Sequence, residues 1–248
     1  EGDLVALYVA CVIPVSRFVL NGDPFQLRAR HGTPALSWIS SVWGRLELRI
    51  QCRMEREIMR WSNELFYSKR LICGPLAAGV LPTICPRLGV MWSGKSSYYV
   101  SAGAAEKSAA IIKQLAKSKF ALSNVCVLTP YKNQLAAIEE AIKEIRDDYG
   151  ERADCCTIDS VQGREYLVII TVLPVLAKGV NAFSADWRRV NVAITRARSA
   201  LCVTTERGAC KSCSGDALPV WGVLLGHFAE INPSQIVSGP MPLRYLPT

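Results

Sequence analysis

Two spacings of apolar residues alternate along the chain and predict an ordered series of helices and strands. Near the start, Leu4, Leu7, Tyr8 and Cys11 follow helical spacing, and Pro14 ends that helix. The apolar run that follows is typical of a buried strand, after which a turn signal precedes another helical stretch. These three elements are predicted at 17–20, 21–24 and 34–42.

From residue 45 onwards, helix-like and strand-like stretches alternate, and this order decides the fold class. Short β-branched strands separated by helices indicate βαβ units, which build a parallel sheet with helices on both faces. We therefore expect an α/β fold with the most apolar stretch, Leu167–Leu173, as a central strand. After Thr205 the chain becomes rich in Gly, Pro and Ser, and Pro233–Thr248 is expected to be a tail. The predicted helices are Glu55–Phe66, Ala104–Ser118, Asn133–Tyr149 and Trp187–Arg198, and the predicted strands are Gly89–Trp92, Asn124–Leu128, Asp154–Ile158, Leu167–Leu173 and Ala200–Thr204.

The composition is that of an ordinary globular chain with a basic balance. Its 248 residues are 50% hydrophobic and 20% charged, which fits one large domain, or one domain with part of a neighbour, and not a disordered chain. Lys and Arg outnumber Asp and Glu by 29 to 21, and the net charge of +8 suits an anionic partner, most commonly nucleic acid. The longest uncharged stretch, Leu71–Pro86, is interrupted by Gly and Pro, so no membrane span is expected.

Ten cysteines raise the questions of redox state and metal binding. Disulfide frameworks belong mostly to much shorter chains, so we expect reduced thiols in an intracellular protein, cytoplasmic or nuclear. The apolar stretch near Glu1 follows acidic residues, not the positive charge of a signal peptide. Cys210-x-x-Cys213 has zinc-ligand spacing, but nothing nearby completes four ligands, so no metal site is predicted. His31 and His227 stand alone and are interpreted as ordinary surface or core residues.

Five short segments, in a fixed order along the chain, carry the functional signal. They are Gly22–Leu27 (GDPFQL), Gln51–Met54 (QCRM), Thr129–Tyr131 (TPY), Thr157–Glu165 (TIDSVQGRE) and Arg189–Arg198 (RVNVAITRAR). Together they resemble motifs of the superfamily 1 helicases, in the branch of the nonsense-mediated-decay RNA helicases and their DNA-acting relatives. The resemblance covers roughly residues 1–205.

The resemblance implies a RecA-like, P-loop-NTPase-type fold in which two domains clamp ATP between them. Residues 1–45 would be the end of the first domain, 46–206 the second domain, and 207–248 a C-terminal extension or tail. In this family the phosphate-cradling P-loop and the acidic pair that binds Mg²⁺ precede the first of these segments. Both are therefore expected outside this chain, which alone should not hydrolyse ATP.

The resemblance also assigns nucleotide chemistry to six residues. Arg196 would be an arginine finger and Arg53 a second γ-phosphate contact, because phosphoryl transfer to water needs charge stabilisation more than covalent help. Gln26 would orient water or sense the γ-phosphate across the cleft. Three more residues would bind the nucleotide, with the glycine allowing close backbone approach and the glutamate holding ribose hydroxyls: Asp23, Gly163 and Glu165.

The arginines between 188 and 198 could equally form a solvated helix face. The buried stripe of that helix is expected at Val190, Ala193, Ile194 and Ala197, which leaves Arg196 on a different face from the core. We therefore expect Arg196 to be exposed, and its substitution to leave the fold intact.

Single-stranded nucleic acid, either RNA or DNA, is the partner that the resemblance implies. Short hydroxyl-bearing side chains near strand ends would donate to the phosphate backbone, which fixes register without reading sequence. The expected contact residues are Thr129, Pro130, Tyr131, Thr157 and Ser160.

These assignments predict the motor half of an ATP-dependent helicase or translocase that moves along a single strand. The alternative is a degenerate helicase domain that binds nucleic acid or a protein without turnover. Cys52 stands where the family usually carries a Tyr that stacks on the nucleobase. Adenine would then be held more weakly here, or by another aromatic ring.

A second pattern competes with this interpretation, because Gly89–Ser96 matches the P-loop pattern G-x-x-x-x-G-K-[ST] and would make the chain a self-sufficient P-loop enzyme. A P-loop needs a helix that starts at its Lys, whereas Gly89 lies in a predicted strand and helical spacing resumes only near Ala104. We interpret Gly94-Lys95-Ser96 as the turn of a β-hairpin, followed by a strand over Ser97–Val100.

Overall fold

The computed structural model of the protein describes residues 12, 21–27, 46–75, 83–85, 87–94, 99–175, 179–210 and 220–239, with the backbone alone at 83–85 and 237–239. The helix predicted over Leu4–Cys11, the strand over Arg17–Leu20 and the helix over 34–42 lie outside these ranges. A turn is present at Pro24 and Phe25, next to the turn signal that begins at Asn21.

The described segments form ten strands and six α-helices. In chain order the strands are β1 (Ile50–Gln51), β2 (Ile72–Cys73), β3 (Thr83–Cys85), β4 (Leu88–Trp92), β5 (Val125–Thr129), β6 (Asp154–Thr157), β7 (Tyr166–Leu173), β8 (Ala197–Thr205), β9 (Ala229–Glu230) and β10 (Val237–Gly239). The helices are α1 (Arg56–Leu65), α2 (Ala102–Lys117), α3 (Lys132–Tyr149), α4 (Ala182–Ala185), α5 (Trp187–Thr195) and α6 (Val220–Leu225).

The main sheet has six strands in the order β6-β5-β7-β8-β4-β9, and all of its pairings are parallel. The strand predicted at Leu167–Leu173 is β7, which lies between β5 and β8 as expected of a central strand. Along β7, Val168 and Ile170 face one layer of the core, while Ile169 and Leu173 face the other. Because both faces are buried, the strand is apolar at nearly every position, with Thr171 as its buried polar residue, and it does not alternate.

Helices cover both faces of this sheet, which confirms the α/β class predicted from the sequence. On one face α2 and α3 pack through Ile111, Leu115 and Ile138. On the other, α1, α5 and α6 pack through residues that include Ile58 and Trp221. None of the helices in the described ranges is both long and apolar enough to cross a bilayer.

Helix α5 ends earlier than predicted, and the strand after it begins earlier. The sequence predicts a helix to Arg198 and a strand from Ala200, whereas α5 ends at Thr195 and β8 begins at Ala197. The backbone of this segment is already bonded elsewhere: Arg196 O accepts from Tyr166 N at 3.0 Å, and Arg198 O accepts from Glu55 N at 2.8 Å. These long-range bonds draw the chain out of the helix, and apolar spacing cannot reveal them.

The strand expected over Ser97–Val100 is wrong where the structure describes it. Tyr99 lies in a turn with a φ of 66°, and β4 pairs only with parallel strands, so the described residues form no hairpin. Helix α2 begins at Ala102 because Ser101 caps it, its hydroxyl accepting from Ala104 N at 3.2 Å. Gln134 of α3 fixes that cap by bonding both Ser101 N and Ser101 O. Lys95–Tyr98 lie outside the described residues.

The chain beyond Thr205 contributes to the core and to strand pairing, and this includes residues 233–239 of the tail expected from Pro233. Trp221 is fully buried and donates its indole N–H to Ser184 O at 2.8 Å. Strand β9 adds to the sheet beside β4, and β10 pairs with β3. A Cβ on Gly89 would lie 2.5 Å from Ile231 Cδ1, so Gly89 is needed for this packing.

Candidate nucleotide and nucleic-acid sites

Arg196 lies between α5 and β8, and its side chain is buried. Only 2% of the residue is exposed, so the expectation of an exposed arginine on a solvated face is wrong. Its guanidinium donates from Nη1 to Arg164 O at 3.1 Å and from Nη2 to Gln26 Oε1 at 3.3 Å. Nε has no hydrogen-bond partner among the described residues. A buried guanidinium with an unsatisfied N–H is a group that an anionic ligand can complete.

Arg53 and Glu165 meet beside this buried guanidinium. Arg53 Nε lies 2.6 Å from Glu165 Oε2, and Arg198 Nη1 lies 3.6 Å from Glu165 Oε1. Arg53 also donates to Thr195 O at 3.4 Å. The carboxylate predicted to hold ribose hydroxyls is therefore bonded here to the arginine predicted to contact the γ-phosphate.

Gln51 sets the backbone that presents Arg53. Its side-chain Oε1 accepts from Arg53 N at 3.1 Å and from Met54 N at 2.8 Å, while its Nε2 donates to Met54 O at 2.9 Å. These bonds satisfy the backbone groups just before α1, where no helical partner is available. The glutamine thus fixes the segment in which Arg53 stands.

The Gly22–Leu27 segment is fastened to the second predicted domain. Gln26 Nε2 donates to Asp23 Oδ2 at 2.8 Å, and the hydroxyl of Tyr67 donates to the same oxygen. Asn191 Nδ2 donates to Phe25 O at 2.8 Å. Burial, and then the neighbouring Asp23, raise the pKa of Tyr67 above its ordinary value, so its hydroxyl stays a donor at neutral pH. Both polar atoms of Gln26 are engaged, one with Asp23 and one with Arg196.

The electrostatics of this cluster favour an anion. Three guanidiniums, those of Arg53, Arg196 and Arg198, lie near two carboxylates, those of Glu165 and Asp23, which leaves an excess of positive charge. Burial first, and then the charge of Arg53, lower the pKa of Arg196 to about 10. Arg196 therefore remains charged at neutral pH, although the site gives its charge incomplete compensation. This donor set fits a polyphosphate, which offers several oxygens to planar guanidiniums.

Gly163 lies in the loop between β6 and β7, two residues before Glu165. Its φ is 90°, a conformation that side chains rarely adopt, and an added Cβ would meet nothing within 4 Å. Backbone conformation, and not crowding within the chain, is therefore what requires glycine here. The open space over it also allows a ligand to approach the backbone closely.

The predicted nucleic-acid residues collect at the carboxyl ends of β5 and β6. Thr129 and Thr157 are in register across the two strands, and Ile158 N donates to Thr129 O at 3.0 Å. Thr129 is fully buried, and its hydroxyl accepts from Tyr131 N at 3.4 Å across the intervening Pro130. Thr157 Oγ1 donates to Ser160 Oγ, and Ser160 Oγ donates to Thr157 O, both at 3.0 Å.

The aromatic residue of this group, Tyr131, is tied to a segment that the sequence did not single out. Its hydroxyl donates to Asn181 Oδ1 at 2.9 Å and lies 2.6 Å from Ser184 Oγ. The hydroxyl expected to donate to phosphate is therefore bonded within the protein. What Tyr131 offers to a ligand is mainly its ring.

Two residues that connect elements of these sites were given no binding role by the sequence: Arg189 was grouped with arginines that could form a solvated face, and Asn191 was not singled out. Arg189 bonds Asp159 through two N–H groups, at 2.9 and 3.2 Å, and so joins α5 to the β6–β7 loop. Asn191 is fully buried, accepts from Ser62 Oγ at 2.8 Å and joins α1 to α5. An amide in the apolar stripe of a helix is a signal for such a contact, but it does not name the partner.

The described residues contain no group of three or more His, Cys, Asp or Glu side chains arranged to hold a metal ion. Cys210 is described and half-buried, while Cys213 lies outside the described ranges, as does His31. His227 stacks on Trp61 with ring centroids 4.2 Å apart, which agrees with its interpretation as an ordinary packing residue.

Comparisons with known proteins give consistent matches. Residues 89–208 match a family model described as an AAA domain. DNA replication ATP-dependent helicase/nuclease DNA2 of Gallus gallus is 29% identical over 201 residues, covering 75% of this chain and 20% of that protein. A Regulator of nonsense transcripts 1 homolog of Arabidopsis thaliana is 28% identical over 278 residues, covering 93% of this chain and 21% of that protein.

A solved structure, the C-terminal domain of a possible DNA helicase from Lactobacillus plantarum, is 12% identical with a TM-score of 0.44, covering 72% of this chain and 97% of that one. The chain spans about a fifth of the length of the two relatives named above. Each of those two alignments covers more of the chain than the family model, which matches residues 89–208. These matches confirm the resemblance of the chain to the superfamily 1 helicases, in the branch of the nonsense-mediated-decay helicases and their DNA-acting relatives.

Proposed function

We propose that this chain is the motor half of an ATP-dependent nucleic-acid helicase or translocase. It would supply the arginine finger and part of the single-strand groove, with domain boundaries at 1–45, 46–206 and 207–248. The observation that carries the proposal is the meeting of Gln26, Arg53 and Glu165 around the buried guanidinium of Arg196. These residues come from distant segments of the chain, and each was assigned nucleotide chemistry.

ATP would be held by the donors that the fold leaves available. Arg53, 40% exposed at its side chain, could turn N–H groups to a phosphate directly. Arg196 Nε has no partner among the described residues, but it is buried, so Arg196 would meet a phosphate only after its bonds to Arg164 O and Gln26 Oε1 rearrange. Hydrolysis needs charge stabilisation around the γ-phosphate, which two guanidiniums provide without covalent chemistry. Mg²⁺, whose ligands we expect outside this chain, would neutralise phosphate charge, and the chain alone would remain inactive.

The ion pair between Arg53 and Glu165 would hold both side chains in the site when no nucleotide is bound. When phosphate takes the guanidinium of Arg53, Glu165 loses its closer partner at 2.6 Å and keeps the weaker one, Arg198, at 3.6 Å. Its carboxylate is then available to ribose hydroxyls, as proposed for this residue. Asp23 would act through Gln26 and Gly163 through its open backbone.

The single-strand groove would run along the carboxyl ends of β5 and β6. Its members are Thr129, Pro130, Tyr131, Thr157 and Ser160. Thr129 and Pro130 are buried and would support the groove, whereas Thr157 and Ser160 lie in an exposed turn. Backbone contacts at such positions give register and not base identity, so RNA and DNA remain equal candidates. A place in the cytoplasm or nucleus would follow from such a substrate.

The experiment is single-strand-stimulated phosphate release by the full-length protein and its arginine variants. We expect Arg196→Ala to lower kcat by about three orders of magnitude or more, which is the usual effect of losing an arginine finger. Because Arg196 is buried, we also expect a lower Tm for this variant. Arg53→Ala removes a half-exposed side chain, so it should lower kcat while keeping Tm.

Arg60→Ala is the matched control, since Arg60 lies on the surface of α1, where it pairs with Glu64 at 3.0 Å. It should keep kcat and Tm. Retention of more than about a tenth of kcat in both Arg196→Ala and Arg53→Ala would contradict the assignment. Strand binding without any turnover by the unsubstituted full-length protein would favour the alternative, a degenerate domain that only binds.

A further inference from the structure

Three aromatic rings from separate segments form a row at the carboxyl edge of the main sheet. Tyr99 precedes α2, Tyr131 precedes α3, and Phe183 lies in α4. The ring centroids of Tyr99 and Tyr131 are 4.6 Å apart, and those of Tyr131 and Phe183 are 6.0 Å apart with the ring planes within 24° of parallel. The outer two residues are partly exposed, Tyr99 by 38% and Phe183 by 41%.

The row is held in place by polar contacts behind it. Asn181 and Ser184 bind the hydroxyl of Tyr131, and the guanidinium of Arg189 lies 3.8 Å from the centroid of the Phe183 ring. Arg189 is itself fixed by Asp159 and by Asp186. Tyr131 and Phe183 are therefore held by contacts within the fold, which lowers the entropy cost of binding beside them.

The backbone conformation of Tyr99 also favours a ligand site at the row. Its φ of 66° lies in the left-handed region, which Gly and Asn adopt at lower cost than a bulky side chain. Such backbone outliers cluster at ligand sites. Here the outlier is one of the two partly exposed residues of the row.

The row continues the line of residues that we propose to contact a phosphate backbone. Tyr131 follows Thr129 by two residues, and Asp159, which holds Arg189, lies between Thr157 and Ser160. A strand whose phosphates follow the Thr157–Ser160 turn would bring its bases towards the rings. Every base has a π-face, so rings can stack on a single strand of any sequence.

We propose that Tyr99, Tyr131 and Phe183 form a stacking platform for the bases of a single strand, with Tyr99 as its open surface and Phe183, whose ring already carries the Arg189 guanidinium, supporting Tyr131 from behind. This inference rests on the proposed function, because it takes the same single strand as ligand. It goes further by assigning base contacts, in addition to backbone contacts, to named residues. It also gives the carboxyl edge of the sheet an aromatic contact that does not depend on charge.

The test compares two probes of equal length on the whole chain, a labelled oligo(dT) and an oligomer of abasic nucleotides, by fluorescence anisotropy. The unsubstituted chain should bind oligo(dT) more tightly. Tyr99→Asn, which suits the left-handed backbone, and Phe183→Ala should each weaken oligo(dT) binding about tenfold and leave abasic binding unchanged. The dependence of Kd on salt should not change, because it counts phosphate contacts.

Tyr149→Ala is the matched control, since Tyr149 is also 38% exposed but stands at the far end of α3 from Tyr131. It should bind as the unsubstituted chain does, and Tyr99→Phe should too, because stacking needs no hydroxyl. Equal binding of both probes by the unsubstituted chain, or full oligo(dT) affinity in Tyr99→Asn and Phe183→Ala, would overturn the platform alone. Binding of neither probe by the unsubstituted chain would overturn the proposed function with it.

Discussion

The thiols of β5 and β6 differ sharply in their surroundings, although they lie close together. Cys126 is fully buried on β5, while Cys155 and Cys156 are half-buried neighbours on β6, a strand at the edge of the main sheet. A hydrogen bond from Cys126 lowers the pKa of Cys156 to about 6, whereas burial raises the pKa of Cys155 to about 12. Cys155 and Cys156 are adjacent and similarly exposed, but they therefore differ in the fraction that is thiolate at neutral pH.

We expect iodoacetamide to modify Cys156 before Cys155 at pH 7, because the thiolate is the nucleophile and only Cys156 has a pKa below that pH. The rate at Cys156 should fall as the pH is lowered through about 6, since protonation then removes the thiolate. Peptide mass spectrometry after timed labelling of the folded chain measures both rates.

Cys155 is the matched control, as it has the same exposure class and the same strand. Equal rates at the two positions, or a Cys156 rate that stays constant between pH 5 and 7, would show that the Cys126 hydrogen bond does not control reactivity. Labelling after denaturation should remove the difference, because the pKa values then return to ordinary ones.

At the scale of elements, the connection from β4 to α2 contains the P-loop pattern but lacks P-loop geometry. Gly89 lies inside β4, where it makes room for Ile231, and α2 begins at Ala102, seven positions beyond Lys95. Apolar spacing predicted the strand and the later helix correctly. The Ser101 cap and the Ile231 contact could not be predicted, because their partners lie far away in the sequence.

We expect Lys95→Ala in the full-length protein to keep nucleic-acid-stimulated ATP hydrolysis within about twofold, the usual effect of a substitution outside a functional site. A helix that starts well after the Lys cannot direct its N-terminal amides at a phosphate held there. The steady-state kcat and KM for ATP measure the effect. Arg53→Ala, assayed in parallel, gives the change in kcat and KM expected when a proposed phosphate contact is lost.

A large loss of turnover in Lys95→Ala at an unchanged Tm would support the self-sufficient P-loop enzyme. Gly89→Ala separates the two accounts in another way. It should lower Tm, because the added Cβ meets Ile231 Cδ1 at 2.5 Å, while the KM for ATP stays unchanged.

At the scale of the whole molecule, the two candidate sites lie at opposite ends of the parallel strands of the main sheet. The nucleotide residues precede β7 and β8, whereas the nucleic-acid residues follow β5 and β6. The motif residues of both sites could be predicted because a resemblance names them. Tyr99, Phe183 and Arg189 could not, because only the folded sheet brings their segments together.

The net charge of +8 leads to a prediction about binding by the whole chain. We expect weak binding to single-stranded oligonucleotides, with Kd rising several-fold between about 50 and 200 mM salt because released counterions favour dissociation. Affinity should differ little between oligonucleotides of different sequence, since backbone contacts and stacking do not read bases. Anisotropy titrations at stepped salt concentrations measure both properties.

A Kd that does not respond to salt would contradict this prediction and would point to a protein partner. Duplex DNA of the same length is the control, and it should bind more weakly because its bases are not free to stack.

The pairing of β9 with β4 has a practical consequence for anyone who divides this protein into parts. The family match ends at residue 208, but the folded sheet does not, because β9 and Ile231 cover the outer side of β4. In a protein truncated at residue 208, β4 would be an unpaired edge strand, and the space that Ile231 fills beside Gly89 would be empty. Open edges of this kind recruit strands from other molecules, so the shorter version would self-associate. The span of the family match is thus smaller than the sheet that the chain folds into.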